Sequence, residues 1–259
     1  MSLIAHTLLR RAKPASPLYC ARMIRAAFAA LCLLATPVAA AAAKPPVIVE
    51  VYTAQGCAAC AEANAFVNEL ADRPGVVTLT FAVDYWDYLG WADTFAQPEF
   101  AERQRAYLNQ LSLREPYTPQ IVINGALETS AAEADKAEAL LDEALRSRPP
   151  APDIQFIGPR RVDVGSGPAP RGGGEVWLVR YDPRPREVQV RKGENKGQTL
   201  EQRNVVRQIV RLGAWRGRPT AYAVPEAPED GLQTLVIVQA AKGGRILGAK
   251  PRETMLARP

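Results

Sequence analysis

The sequence is poor in the residues from which metal and acid–base centres are usually built. It has one histidine, His6, and four cysteines in 259 residues. His6, Cys20 and Cys32 all fall within the first 43 residues, a stretch that also lacks acids: it carries Arg10, Arg11, Lys13, Arg22 and Arg25 and no Asp or Glu. This basic start runs into an apolar stretch at 26–34 and a small-residue tract at 39–43, the order found in a cleavable leader. Counted from Met23 the leader has an ordinary length, so Met23 is the expected true start. An uncleaved anchor is the weaker alternative, because the run is Ala-rich, broken by Pro37 and short of the ~20 apolar residues a span needs. No later stretch is apolar enough over such a length. The expectation is a periplasmic or secreted chain, with 1–43 as signal peptide and no stable membrane span once the leader is cleaved.

The mature chain then keeps two cysteines, Cys57 and Cys60, and no histidine. Ser-His-Asp and Cys-His catalysis are excluded, as are His-based metal sites. A zinc site needs about four N or S ligands, and two thiols supply half of one, so no metal and no other cofactor is expected. The formal charge of +5 also belongs to the leader, since the rest of the chain balances 27 cations against 27 acids. The balance is uneven along the chain. Residues 44–150 carry 8 basic and 16 acidic side chains, and 151–259 carry 19 basic and 11 acidic. Two domains that dock by opposite charge are the expected arrangement, with the boundary in the Pro-rich stretch 148–152. A nucleic-acid partner for the basic half is disfavoured by export and by the absence of a recognition motif.

What is present centres on Gly56-Cys57-Ala58-Ala59-Cys60. A continuous apolar strand, 47–52, runs in and a helical pattern, 61–71, runs out, with Phe66, Val67 and Leu70 on one face. A second apolar strand follows at 76–83, which implies a parallel crossover. Then come an aromatic–acid cluster at 84–91 and a helix opened by Pro98 and running to about 111. Thr118-Pro119 leads into a strand at 120–123. Asn124-Gly125 marks a two-residue hairpin turn, and Ser130 with Glu133 reads as a capping box for a helix over 131–146. The second half reads as eight short strands punctuated by Gly and Pro, the pattern of an antiparallel sandwich or barrel.

Parallel strands end at one edge of a sheet, where ligands bind. The dithiol, the cluster containing Asp84, Trp86 and Trp91, and the Thr118-Pro119 loop should meet there. Cys57, before the first helical turn, is placed for a thiolate that attacks disulfides, and Cys60, one turn on, for resolving the mixed disulfide. A structural disulfide is the alternative. Glu50, in the first strand, is a candidate proton relay to the resolving thiol; alternatively it faces a polar edge or pairs with an Arg of the second domain. Asp84, Trp86 and Trp91 are candidates for a substrate edge; alternatively Trp86, Tyr88 and Trp91 pack the inserted helix while Asp84 and Asp87 cap turns. The charged, glycine-punctuated segment 191–200 is expected to bind an anion, dock on the acidic domain or form a solvated hairpin tip.

At these residues the chain resembles the thioredoxin-like superfamily over roughly 46–148. That resemblance implies that Cys57 is the nucleophile, Cys60 the resolving residue and Pro119 a cis proline beside them. The segments at 49–60, 83–91, 117–120 and 193–207 also resemble a secreted bacterial family, domain of unknown function 1223, over nearly the whole mature chain. Ala58 and Ala59 stand where that family is expected to have hydroxyl residues. The fold expected is an α/β thioredoxin-like domain over 44–150, a mixed sheet flanked by helices with a helical insertion, followed by an all-β sandwich-like domain over 151–259. The function expected is thiol–disulfide oxidoreductase chemistry on extracytoplasmic protein or small-molecule thiols and disulfides, with a redox partner protein as a candidate. The alternative is a protein- or ligand-binding module whose Cys57–Cys60 disulfide is a fixed clip.

Overall fold

The computed structural model describes residues 44–147 and 149–253. The expected leader over 1–43 lies outside them. The chain forms a mixed α/β structure around an eight-stranded sheet. Strand β1 (Val47–Thr53) has all seven side chains buried, as its unbroken apolar run requires. It pairs in parallel with β2 (Val76–Ala82) and antiparallel with β3 (Gln120–Ile123), which turns at Asn124-Gly125 into β4 (Leu127–Ser130). Both turn residues have positive φ, 48° and 62°, the backbone of a tight hairpin turn.

Three helices position this half. Helix α1 (Ala58–Leu70) buries Ala63, Val67 and Leu70 at helical spacing. Helix α2 (Pro98–Ala106) starts at Pro98 as expected and stops five residues short of the expected end. Helix α3 (Ala134–Arg146) begins three residues late, and the capping box does not form. Glu133 instead accepts from Thr129 Oγ1 and Lys136 Nζ, while the Ser130 hydroxyl accepts the Ala132 N–H.

The second half supplies β5 (Ile154–Phe156), β6 (Arg161–Val164), β7 (Gly174–Asp182), β8 (Arg186–Gln189), β9 (Thr199–Gln202), β10 (Val205–Trp215), β11 (Thr220–Ala223), β12 (Gln233–Ala240) and β13 (Ile246–Pro251). Strand β9 is an addition to the eight read from the sequence. The main sheet runs β13-β12-β7-β10-β2-β1-β3-β4. It crosses the boundary at residue 150 without a break: β7, β10, β12 and β13 of the second half join it, while β11-β6-β5 and β8-β9 form small sheets of their own. The seam is the parallel pairing of β10 with β2 at Val205 and Thr80, reinforced by Thr80 N–H to Asn204 O at 3.0 Å and Asn204 Nδ2 to Thr78 Oγ1 at 2.9 Å. Charge plays a smaller part than the sequence suggested. Among the described residues, Arg203–Asp72 is the ion pair that crosses between the halves.

Alternation along the strands gives the sheet two dry faces. One is a core running from Ile48 and Tyr52 through Leu79 and Phe81 to Val179, Tyr181, Leu235 and Ile237, covered by Phe100 and Tyr107 of the α2 region. The opposite face is shared. Helices α1 and α3 cover Val47, Val49 and Val51. A three-stranded sheet, β11-β6-β5, covers Val176, Leu178, Val236 and Val238, so sheet packs on sheet at that end. Each fully buried Val or Leu contributes about 1.5–3 kcal/mol. The shared first face therefore binds the halves together more strongly than their single cross-half ion pair.

Candidate functional site

Cys57 and Cys60 are joined as a disulfide with a Cα–Cα separation of 5.4 Å. Cys57 is the extended residue (φ −96°, ψ 117°) that precedes α1, and its N–H is accepted by Ala54 O at 3.2 Å. The pair therefore sits at the positive end of the α1 dipole, where a sulfur anion is stabilised. Ala58 and Ala59 face solvent while the cysteines turn inward, with Cys57 only 2% exposed and Cys60 fully buried.

The expected convergence is present. Trp86 lies with its Cβ 3.7 Å from where a Cβ on Gly56 would be, and its indole N–H donates to Thr118 Oγ1 at 2.7 Å. Thr118-Pro119 is a cis peptide. The Trp91 indole donates to Gln55 Oε1 at 2.9 Å. Asp84 stands apart: its carbonyl closes a turn with the Asp87 N–H, and none of these hydrogen bonds uses its carboxylate.

Glu50 is drawn elsewhere. Arg103, from α2, reaches it with Nε (3.1 Å) and Nη2, and Tyr52 OH donates to it at 2.9 Å. The guanidinium also contacts Tyr107 OH and Gln239 Oε1, and lies 5.6–5.8 Å from the Phe81, Tyr107 and Trp177 rings. Burial pulls the Arg103 pKa down, but Glu50, by its charge and its hydrogen bond, together with Tyr107 and Tyr52 outweighs it and holds it above the ordinary value. Burial and the neighbouring Glu50 charge likewise push Tyr52 well up, so its hydroxyl stays protonated. The expected Arg partner of Glu50 thus exists but comes from the inserted helix rather than the second half. A carboxylate engaged by Arg103 and Tyr52 serves as a buried strut.

Four further residues organise the dithiol turn: Gln55 and Asp93, which the sequence pattern does not mark, and Glu194 and Asn195 of the charged segment 191–200. The Gln55 N–H donates to Asp93 Oδ2 at 2.7 Å, and its side chain joins Thr94 and Trp91. Asp93 is 8% exposed. Burial pushes its pKa up to about 6 against the N–H bonds it accepts from Gln55 and Phe95, with Asp87 raising it further. Asn195 is fully buried, and its Nδ2 donates to Gln55 O at 3.0 Å and Cys57 O at 2.8 Å. Glu194 Oε2 accepts the Ala58 N–H at 3.0 Å.

Glu194 and Asn195 belong to an arm formed by the β8–β9 hairpin and its tip. Gly193 takes φ +78° and would set a Cβ 3.5 Å from Gly56 Cα, so the tip passes close over the dithiol turn. The base of the arm grips the far end of α1: Asn68 Oδ1 accepts the Arg203 N–H at 3.1 Å, and Arg203 holds Asp72 by bonds of 2.6 and 2.9 Å. Of the three roles expected for 191–200, docking on the acidic half is the one observed. The sequence did hold a trace of it, in two glycines set among dense charge. Nothing in the local pattern marks Gln55 or Asp93.

The geometry defines a mixed α/β protein with an arm-covered dithiol at the carboxyl edge of its sheet. The chain belongs to the family described as Protein of unknown function (DUF1223), which it matches over residues 48–239. It is similar to the crystal structure of protein AGR_C_4864 from Agrobacterium tumefaciens, with 29% identity and a TM-score of 0.67 over 85% of this chain and 100% of that one. It is also similar to HBP35 of Porphyromonas gingivalis, at 12% identity and a TM-score of 0.54 over 83% and 80% of the two chains, a likeness of fold alone. No curated protein matches.

Proposed function

We propose that this chain is an exported, thioredoxin-like thiol–disulfide oxidoreductase acting through Cys57 and Cys60 on protein or small-molecule thiols outside the cytosol. The observation that carries the reading is the dithiol at the N-terminus of α1, with Trp86, Trp91 and Thr118-Pro119 gathered beside it. Starting from the disulfide, a substrate thiolate attacks Cys57 Sγ. The Cys57–Cys60 bond breaks, and its electron pair leaves on Cys60, which takes a proton. A second substrate thiolate then attacks the substrate sulfur of the mixed disulfide and releases Cys57 as a thiolate. Two substrate thiols become one disulfide and the protein pair is reduced; the reverse sequence reduces a substrate disulfide.

One observation favours the alternative of a fixed clip in a binding module: Cys57 is only 2% exposed beneath the arm. Trapping separates the two readings. Cys60→Ala in cells exporting the full chain should accumulate mixed disulfides on Cys57, resolved by non-reducing gels and mass spectrometry. If none accumulate, and the wild-type disulfide resists millimolar dithiothreitol in the folded state, the oxidoreductase reading fails.

A further inference from the structure

A second site lies far along the sheet from the dithiol in chain terms. Arg180 occupies β7 on the same face as Val176 and Leu178, at the end of the layer between the main sheet and β11-β6-β5. It is 4% exposed. Its acceptors are all uncharged: Gln208 Oε1 and Glu226 O for Nη1, and Pro225 O for Nη2. Its Nε–H is buried and without a partner.

Arg252, just past β13, approaches the same place. Its Nη2 donates to Pro159 O at 3.0 Å and Gly158 O at 3.4 Å, its guanidinium stacks 4.6 Å over Phe156, and its Nε–H is likewise buried and unpartnered. The two groups line a cavity of about 500 Å³ with Arg160 and Thr234. Two carboxylates also line it, both exposed: Glu226, which Arg160 holds, and Glu253.

A guanidinium removed from water is normally paired with an acid, because an unpaired buried charge is costly and each unmet donor adds about 1–3 kcal/mol. Arg103 in this same chain obeys that rule through Glu50. Arg180 breaks it, and half-buried Arg252 stands beside it with only carbonyl acceptors. Burial lowers both their pKa values, and for Arg180 the Arg252 charge adds to the effect. The unpartnered Nε–H of Arg180 belongs to the edge by which arginine grips two oxygens at once; the other nitrogen of that edge, Nη2, donates to Pro225 O.

We infer that this cavity is an oxyanion-binding site, in which Arg180 and Arg252 clamp a phosphate or carboxylate group carried by a small molecule. The cavity is larger than the bare anion, so room remains for the body that bears it. The site shares no residue with the dithiol and is independent of the redox reading.

The test uses the full mature chain in chloride buffer at fixed ionic strength, with inorganic phosphate and citrate as probes. Thermal unfolding and calorimetric titration are measured for wild type, Arg180→Gln and Arg252→Gln. A melting shift with either probe beyond the chloride control supports the site, and the stronger probe identifies the anion class. Each substitution should weaken binding at least tenfold. Arg252 is only part-buried, and Arg252→Gln relieves repulsion of Arg180 while losing the bonds to Pro159 O and Gly158 O, so this variant should stay folded; it carries the test if Arg180→Gln fails to fold. Absence of any shift with both probes, or an undiminished shift in Arg252→Gln, would overturn the inference.

Discussion

Glu194→Gln isolates one charge at the dithiol. In the oxidised chain the Glu194 carboxylate accepts the Ala58 N–H at 3.0 Å, immediately after Cys57. Reduction places a thiolate on Cys57; taking a separation of roughly 6 Å and an effective dielectric of about 40, between surface pairs and bulk water, the repulsion is about 1.4 kcal/mol. The disulfide carries no such charge, so Glu194 disfavours the reduced state alone. Glutamine keeps an oxygen for the Ala58 N–H and removes the repulsion. The reduction potential should therefore move about 30 mV toward less negative values, since 30 mV corresponds to about 1.4 kcal/mol for a two-electron couple. The assay is equilibration with glutathione or dithiothreitol redox buffers, read by quantifying free thiols. Because Glu194 is exposed, the shift should shrink at ~1 M salt, where the Debye length is about 3 Å. A zero or negative shift at low salt would refute the reasoning.

Asn195→Ala removes the bonds to Gln55 O and Cys57 O that pin the arm tip; alkylation of reduced Cys57 by iodoacetamide should rise about tenfold, roughly what the loss of 1.4 kcal/mol allows, and an unchanged rate would mean that the tip does not shield the thiol. Arg103→Met leaves Glu50 buried and unpaired, so urea unfolding should show a loss of about 3–5 kcal/mol, most of it recovered in Glu50→Gln/Arg103→Met. Asp93 has a folded pKa raised from 3.8 to about 6, so between those values the native chain holds a proton that the unfolded chain has lost, and its contribution to stability falls as pH rises. The difference in unfolding free energy between wild type and Asp93→Asn should change by about 2 kcal/mol from pH 4 to pH 6, in the direction of a wild type relatively more stable at pH 4; a flat difference would refute the burial argument.

The parts of this structure visible from the sequence are those written in local pattern. The buried run 47–53 made β1 plain, the Asn124-Gly125 pair made the hairpin plain, and the strand–dithiol–helix order placed Cys57 at a helix start. The second-half strands stood out because apolar alternation between glycines and prolines is a short-range signal. Strand β9 did not, because Thr199–Gln202 buries Leu200 and Gln202 and exposes the other two, and the buried glutamine hides the alternation. Helix α2 buries Arg103 and Gln104 to serve the Glu50 and Gln120 networks, which again breaks the apolar period. The joining of the halves was misjudged for a different reason. Opposite net charges suggested docking, whereas the contact is a strand pairing between Thr80 and Val205 plus a shared apolar face. Pairing between segments so far apart leaves no trace in either one's local sequence. The same holds for Gln55 and Asp93, whose importance lies in what folds beside them.

The continuous sheet sets a schedule for the nascent chain. Strand β2 is an interior strand only because β10 lies against it; until then its free edge can pair with any passing strand. Thr80 and its partner Arg203 are separated by 123 residues. At ribosomal speeds of ~5–20 residues per second, that edge waits about 6–25 s for its cover. The half that carries the dithiol is therefore the half that emerges first and stays unfinished longest. A holdase or a translocation machine that keeps the early segment extended until residue 205 has emerged should raise the yield of folded chain, and shortening 83–204 by fusing the halves closer together should reduce the dependence on it.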